Sequence, residues 1–242
     1  MGFPAPALLH GYLGFSHRGP IAYFRGIERT LRRAGIVPLV PEVPPAGTIA
    51  ERAEALARQL FRSDVPAFAL VAHSMGGLDA RHLIARLDPD RRVKSLVTVG
   101  TPHLGTPLAS WLLDSRQLVP AVIRRIGNPG LRELTPEVRA AEPIPDRADV
   151  AYSSYAGCRP LGELPCWLRP FARVISRDND GLVPVESARW GAFRGILRTD
   201  HFECLGWSLA WPSTRTARPF DHLRLWTRAV DEAVAAAQGK AG

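Results

Sequence analysis

The stretch from residue 67 to residue 87 constrains this chain more than any other. Residues 67–72 form an apolar run that predicts a buried strand, and residues 78–87 have the apolar spacing of an amphipathic helix. Between them stand Ser74 and, two residues later, Gly76. A chain that passes from strand to helix within so few residues must turn sharply. The pattern therefore predicts a strand–turn–helix unit with the serine at its apex, the arrangement called a nucleophile elbow.

The residues around Ser74 suit a serine that reacts. Gly76 leaves room where the helix start nearly touches the strand, and Ala72, where glycine is usual, is the smallest alternative. The peptide N–H of Met75 opens the helix, so it can stabilise negative charge on an oxygen bound at Ser74. A glycine-rich turn with an unreactive serine has the same pattern, so the rest of the chain must decide.

Strands and helices are predicted to alternate along most of the 242 residues. The predicted strands span residues 6–10, 36–40, 67–72, 93–100, 150–155, 172–175 and 196–197. The predicted helices span a stretch of about fourteen residues that includes Ile21, Phe24, Ile27 and Leu31, and then residues 49–61, 78–87 and 221–237. Helices between strands imply right-handed crossovers and a mostly parallel sheet, with residues 93–100 near its centre. We expect one α/β domain over residues 1–242.

Residues 104–149 interrupt this alternation. Apolar side chains between Trp111 and Ile126 are interspersed with charged ones, which predicts one or two short amphipathic helices inserted between strands. A connecting helix with its apolar face on the core accounts for such a pattern. The position of the segment, directly after the strand at 93–100, favours instead a mobile lid over an apolar site.

A reactive serine requires a base, and the base requires a carboxylate that orients it. With this type of turn the chain order is serine, acid, histidine, and both partners follow later strands at the carboxyl edge of the sheet. Asp180 meets the requirement for the acid because it adjoins a turn glycine, and Asp178 is the competitor. His201 follows a short apolar strand and is the candidate base. His222, at a helix start, is the alternative.

The loop after the first predicted strand supplies a second group that could bind negative charge. His10, Gly11 and Tyr12 form that loop. Gly11 lets the backbone pass close to the serine. The peptide N–H of Tyr12 would then donate to an oxyanion together with that of Met75.

Five blocks of sequence together resemble the bacterial triacylglycerol lipases. The blocks are residues 10–15 (HGYLGF), 72–78 (AHSMGGL), 99–106 (VGTPHLGT), 179–183 (NDGLV) and 200–202 (DHF). Their order matches that family, and they span almost the whole chain. The resemblance implies the α/β-hydrolase fold, with a mostly parallel central sheet flanked by helices and a short helical lid that covers an acyl pocket.

The resemblance also implies a serine carboxylic ester hydrolase, most closely a lipase that cleaves acylglycerols or similar esters through an acyl-enzyme. Ser74 would be the nucleophile, Asp180 the acid and His201 the base, with the N–H groups of Tyr12 and Met75 as oxyanion hole. The residues expected to bind the substrate are Leu13, His73, Leu104, Leu182 and Val183. An esterase or polyester hydrolase, an acyltransferase, and a binding protein that has lost the chemistry are the alternatives.

No cofactor is expected to be required, although a structural calcium ion is a further implication of the resemblance. The larger relatives hold this ion with two aspartates, one of them two residues after the catalytic histidine, where this chain has Glu203. The partner aspartate would stand near Pro160 and Leu161, neither of which is a ligand. Glu203 is therefore a candidate calcium ligand without a clear partner.

The charge of the chain bears on its partners. The sequence has 31 basic and 23 acidic residues and a net charge of +8. Nearly all basic residues are arginines, and they are scattered, so most of them are predicted to lie on the solvated surface. We therefore expect a small-molecule or lipid ester as partner, with transient contact to a lipid interface, and no nucleic acid.

Cysteines and terminal segments bear on location. Cys158 and Cys166 could close a disulfide loop in an exported protein, or remain two free thiols. The first residues lack the pattern of a signal peptide, and no apolar run reaches the roughly 18 residues of a membrane span. A cytoplasmic location is expected from the sequence as it stands, and secretion if the N-terminus is processed or export needs no signal.

Overall fold

A five-stranded parallel sheet forms the centre of the computed structural model, which describes residues 3–19, 21–114, 129–207 and 220–239. Its strands, in spatial order from one edge to the other, are Ala5–Leu9 (β1), Phe68–His73 (β4), Val93–Val99 (β5), Ala151–Gly157 (β6) and Ala192–Leu197 (β7). Neighbouring strands of this sheet are parallel throughout. A separate antiparallel pair is formed by His17–Arg18 (β2) and Ile21–Ala22 (β3). The prediction that residues 93–100 form the central strand is confirmed.

Helices cover both faces of this sheet. The first four are Ile27–Arg33 (α1), Ile49–Leu60 (α2), Gly76–Arg86 (α3) and Pro107–Asp114 (α4). The later ones are Pro136–Ala141, Arg169–Ile175, Val185–Ala188 and the C-terminal helix His222–Gly239. The predicted start of α2 is confirmed, since Thr48 and Glu51 form a reciprocal capping box.

Side chains of the elbow strand alternate between the two faces, as the period of a β-strand requires. On one face Val71 packs in a cluster with Trp226 of the C-terminal helix. On the other face Leu70 packs with Leu56 of α2 and Leu83 of α3. Strand β4 is buried on both sides, and its carboxyl end meets the carboxyl ends of its neighbours at one edge of the sheet.

The prediction of a strand at residues 172–175 is wrong, because these residues belong to the helix Arg169–Ile175. Ala172 and Ile175 are buried, and their spacing of three places them on one helical face. A short apolar run is compatible with either element until its neighbours are known. The strand that pairs with β6 is Ala192–Leu197, of which residues 196–197 were predicted.

Two further predictions are corrected near the N-terminus. Residues 36–40 make only a single bridge, between Leu39 and Ala7, because Pro38 has no N–H for a ladder. The helix predicted to include Ile21 begins only at Ile27, and Ile21 lies in β3. Gly26 precedes the helix with a left-handed backbone (φ of 73°), which interrupts the helical run.

Where the structure describes the inserted segment 104–149, helices span residues 107–114, 129–132 and 136–141, and the rest is turns and irregular chain. The part of the lid prediction that falls on residues 115–128 lies outside the described residues. The three cysteines, Cys158, Cys166 and Cys204, are free thiols. Among the described helices, none combines the length and the apolar character needed to cross a bilayer.

Candidate active site

The turn after β4 has the geometry that its sequence predicts. Strand β4 ends at His73, and α3 begins at Gly76. Ser74 stands between them with a φ of 55°, and its peptide N–H donates to the carbonyl of Val99 at 3.0 Å. A Cβ on Gly76 would lie 2.7 Å from the carbonyl oxygen of His10, so the close crossing of strand and helix requires a glycine there.

Asp180 and His201 form a buried hydrogen-bonded pair. His201 Nδ1 donates to Asp180 Oδ2 at 2.7 Å, and the peptide N–H of His201 donates to the carbonyl of Asp180 at 2.9 Å. The other carboxylate oxygen of Asp180 accepts from the N–H groups of Leu182 (3.0 Å) and Val183 (2.8 Å). These bonds fix the tautomer and the orientation of the imidazole and leave Nε2 for another partner.

The elbow and this pair lie together. The ring centroids of His201 and His73 are 4.5 Å apart, and Ser74 and His201 line the same cavity. The competing candidates lie elsewhere: Asp178 is exposed, and Nε2 of His222 donates to the carbonyl of Arg25 at 3.0 Å. The structure thus brings Ser74, Asp180 and His201 to one edge of the sheet.

The loop after β1 lies directly against Ser74. A Cβ on Gly11 would stand 2.7 Å from Ser74 Cβ, closer than real Cβ contacts come, so glycine is required for this approach. The peptide N–H of Gly11 donates to the Tyr23 hydroxyl at 3.1 Å, and that hydroxyl donates to His73 Nδ1 at 2.7 Å. Burial lowers the pKa of His73 well below its usual range, and a positive charge on His201, when that ring is protonated, acts in the same direction. His73 is therefore neutral and can accept the phenolic proton.

A buried ion pair holds the same loop from its other side. Arg52, fully buried on α2, bonds the carbonyls of His10 (3.0 Å) and Gly11 (3.3 Å). Its Nε donates to Asp79 of α3 at 2.9 Å. Burial raises the pKa of Asp79 to about 6, although the guanidinium lowers it, so the carboxyl is ionised at neutral pH. The pair fixes the loop that precedes Tyr12.

A cavity of about 540 Å³ opens at Ser74 and His201. Its walls are almost entirely apolar. One wall comes from the inserted segment and consists of Leu108, Ala109, Leu112, Leu131 and Leu134. Other lining residues include Phe15, Ile21, Leu205 and Trp207. A cavity of this size with a few polar groups at one point suits a ligand that is mostly hydrocarbon.

The residues expected to bind substrate divide into two groups. Leu13, Leu182 and Val183 line the cavity, as does Tyr12. His73 and Leu104 do not. The His73 ring is buried and hydrogen-bonded to Tyr23, while Leu104 is 50% exposed outside the cavity. The positions of these two in the chain, beside Ser74 and after His103, carried no information on where their side chains point.

Glu203, the candidate calcium ligand, has a cation beside it already. Its Oε2 is bonded to Arg159 Nη2, and its Oε1 accepts from the N–H of Phe220 at 3.3 Å. In the part of the chain that the structure describes, no three metal-ligating side chains cluster. The surroundings of Glu203 therefore do not fit a bound calcium ion, because its carboxylate is already paired with a guanidinium and no further carboxylates cluster with it in the described residues.

Sequence reasoning missed three residues that organise the site: Tyr23, Arg52 and Asp79. For Arg52 a signal was present, since it stands among the apolar positions of the predicted helix 49–61, where a charge is buried only with partners. Tyr23 gave no comparable signal, because its partners lie 12 and 50 residues away.

Comparison with known proteins shows which family this chain resembles. Residues 9–133 match the model of the family described as alpha/beta hydrolase fold. Triacylglycerol lipase 2 of Saccharomyces cerevisiae is 30% identical over 77% of this chain, and the match covers 63% of that protein. A triacylglycerol lipase of Vibrio cholerae is 32% identical over 42% of this chain and 33% of its own length. The chain thus spans less than two thirds of either relative.

Solved structures share the fold. The crystal structure of the metagenomic carboxyl esterase MGS0156 superposes with a TM-score of 0.74 at 20% identity. The superposition covers 98% of this chain and 76% of the esterase.

Proposed function

Because the chain belongs to the family of the alpha/beta hydrolase fold, we propose that it hydrolyses carboxylic esters, most closely as a lipase acting on acylglycerols or similar esters. The observation that carries the proposal is the buried Asp180–His201 pair beside the elbow serine. The names of the two sequence relatives, both triacylglycerol lipases, support the substrate class.

In the proposed reaction Ser74, His201 and Asp180 act as a catalytic triad. His201 Nε2 takes the proton from Ser74 Oγ as that oxygen attacks the ester carbonyl carbon. Asp180 keeps the Nδ1–H of the ring in place and stabilises the imidazolium that forms, without itself taking the proton. The same bond explains why an acid is needed at this position, since it selects the tautomer with Nε2 unprotonated.

The tetrahedral intermediate carries its negative charge on the former carbonyl oxygen. The proposed donors to this oxygen are the peptide N–H groups of Met75, at the start of α3, and Tyr12, in the loop that Arg52 and Tyr23 hold against Ser74. His201 then gives its proton to the alcohol oxygen as the ester C–O bond breaks. Water, deprotonated by His201, attacks the acyl-enzyme, and Ser74 regains its proton as the acid leaves.

The cavity supports an acyl chain as the preferred acid. Its apolar walls would bury a hydrocarbon chain, and each buried methylene contributes about 0.8 kcal/mol. Leu13 and Ile21, which line the cavity, are 43% and 46% exposed. We propose that they contact the surface of a lipid aggregate when substrate enters. This contact predicts that the rate of ester hydrolysis differs between soluble and aggregated forms of the same substrate.

The test of the proposed function is the variant Ser74→Ala. It should lower the hydrolysis of p-nitrophenyl esters by about 10³-fold or more, because the nucleophile is removed. A fluorophosphonate probe should label the wild-type protein at Ser74 and leave the variant unlabelled. Circular dichroism and the melting temperature control for folding. Undiminished turnover in the folded variant would refute the proposal.

A further inference from the structure

Arg159 connects the two loops that carry Asp180 and His201. It follows β6, and its peptide N–H donates to the carbonyl of Asn179, the residue before Asp180, at 3.1 Å. Its guanidinium reaches the other loop. Nη2 bonds Glu203 Oε2, two residues after His201, and the carbonyl of Arg198 at 3.4 Å. One residue therefore holds the acid loop by its backbone and the histidine loop by its side chain.

The Arg159–Glu203 ion pair is nearly buried, with side chains 8% and 11% exposed. Glu203 is further held by Thr199 Oγ1, which donates to Oε2 at 3.4 Å. Asp200, between Thr199 and His201, is buried as well. Burial raises the pKa of its carboxyl, the Glu203 charge acts in the same direction, and the Arg159 charge opposes them. Two buried carboxylates thus lie on either side of His201 in the chain. Arg159 bonds Glu203, whereas Asp200 Oδ1 accepts from the peptide N–H groups of Phe202 (2.9 Å) and Glu203 (2.8 Å).

We propose that Arg159 is a positioning residue for the catalytic pair, and that its guanidinium takes the structural role that a bound cation would have beside His201. The inference rests on the proposed function. Its physical basis is that an ion pair within a buried turn restricts the turn more than a solvated pair does, since a partner cannot leave without exposing an uncompensated charge. Restricting the turn keeps His201 Nδ1 at 2.7 Å from Asp180 Oδ2.

The arrangement accounts for the absence of an aspartate at Pro160 and Leu161, where the partner ligand of Glu203 would stand. A calcium ion needs several oxygen ligands and is held best by more than one carboxylate. Arg159 stands directly before Pro160 in the chain, so the residue that faces Glu203 here brings its own positive charge. The chain would therefore hold the histidine loop without binding an ion.

The kinetic test compares Arg159→Gln with Arg147→Gln. Arg147 is also largely buried and bonds Asp88 (3.1 Å) and Asp149 (3.0 Å). Its guanidinium lies beside Val93, the first residue of β5, and so at the amino edge of the sheet, away from the candidate site at the carboxyl edge. Both variants should melt below the wild-type temperature. Only Arg159→Gln should lose kcat, by about 10- to 100-fold with KM changed less than about twofold, because misplacing the base affects the chemical step.

Equal kcat losses in both variants, or a wild-type kcat in Arg159→Gln, would overturn the proposal. If Arg159→Gln does not fold, Glu203→Gln replaces it, since this variant keeps the shape and removes the carboxylate charge. It should show the same loss of kcat with KM retained, and a wild-type kcat would count against the proposal. These measurements are interpreted only if Ser74→Ala is inactive, so failure of the proposed function is distinguished from failure of this inference.

A second experiment tests the cation role without activity. The melting temperature of the wild-type protein is measured in millimolar calcium chloride and in a chelator. It should be the same in both, because Arg159 already neutralises Glu203. A calcium-dependent rise in melting temperature that disappears in Glu203→Gln would show that Glu203 binds the ion, and it would overturn the proposal.

Discussion

Ser74 has a left-handed backbone that residues other than glycine rarely adopt. Such a conformation costs about 1–3 kcal/mol, and it persists only where the surroundings impose it. Here they do so through the N–H bond to Val99 and the immediate start of α3. The orientation of the Asp180 carboxylate is also fixed. One of its oxygens accepts from the peptide N–H groups of Leu182 and Val183, and the other accepts from His201. These hydrogen bonds hold the Ser74 backbone and the Asp180 side chain each in one conformation.

Asp180→Asn tests this arrangement. The amide can donate to Nδ1, which would favour the wrong tautomer of His201, so kcat should fall by about 10³- to 10⁴-fold with the fold retained. Steady-state kinetics with a p-nitrophenyl ester provide the measurement. The matched control is Asp178→Asn, since Asp178 is exposed two residues away. If Asp178→Asn were the inactive variant, the acid would have been misidentified. His222→Ala should likewise retain activity.

Helix α4 shows how one element serves both the core and the cavity. Its buried residues Leu108, Ala109 and Leu112 pack in one cluster with Met75 and Leu78 of the elbow region. The same three side chains line the cavity. In the described residues, α4 therefore packs on the core and forms a wall of the cavity, as the alternative interpretation of a connecting helix describes. The predicted lid remains a prediction.

Ala109→Phe tests the wall. The larger ring would project from α4 into space that an acyl chain is proposed to fill. Turnover of p-nitrophenyl palmitate should fall roughly tenfold or more relative to p-nitrophenyl acetate, a difference within what pocket contacts can discriminate. Leu104→Ala, outside the cavity, should leave the chain-length profile unchanged. An unaltered profile in Ala109→Phe, with a changed one in Leu104→Ala, would reverse the placement of the substrate.

Across the whole molecule, buried polar side chains connect helices to the loops at the ends of the sheet. Arg81 of α3 lies 3.7 Å from the ring centre of Trp190 and bonds Asp146, to which the Trp190 indole N–H also donates. His103 stacks on the same Trp190. A subset of the arginines is thus structural and buried, which the prediction of a solvated surface for most of them leaves open. Such groups make stability depend on pH.

His103 provides the pH test. Burial lowers its pKa well below 6.5, and the Arg81 charge lowers it further. Below pH 6.5 the unfolded chain takes up a proton that the folded chain excludes. The contribution of His103 is therefore present above pH 6.5 and is lost as the pH falls, by about 1.4 kcal/mol per pH unit. In His103→Gln the free energy of unfolding, from urea titrations at pH 6.5, 5.8 and 5.0, should decline less steeply by this amount. Parallel curves for the two proteins would contradict the argument.

Local sequence was sufficient for the elements whose signals lie close together in the chain. In the elbow the strand, the serine and the start of the helix follow one another directly in the chain. The space they need is provided by adjacent residues, so the roles of Ser74 and Gly76 could be predicted from the local sequence. The Thr48–Glu51 capping box is equally local. The succession of apolar strands and helices implied a parallel sheet through the crossover rules, and the weak alternation within residues 93–100 implied a central strand buried on both faces.

Only the tertiary structure decided what depends on distant partners. Residues 172–175 belong to a helix, and Ala192–Leu197 is the strand at the edge beside β6, an assignment that a short apolar run does not decide alone. Tyr23, Arg52 and Arg159 acquired their roles from groups that folding brings beside them, up to 50 residues away along the chain. Hydrophobic periodicity records which face of an element is buried, whereas hydrogen bonds and ion pairs across the site depend on which elements become neighbours.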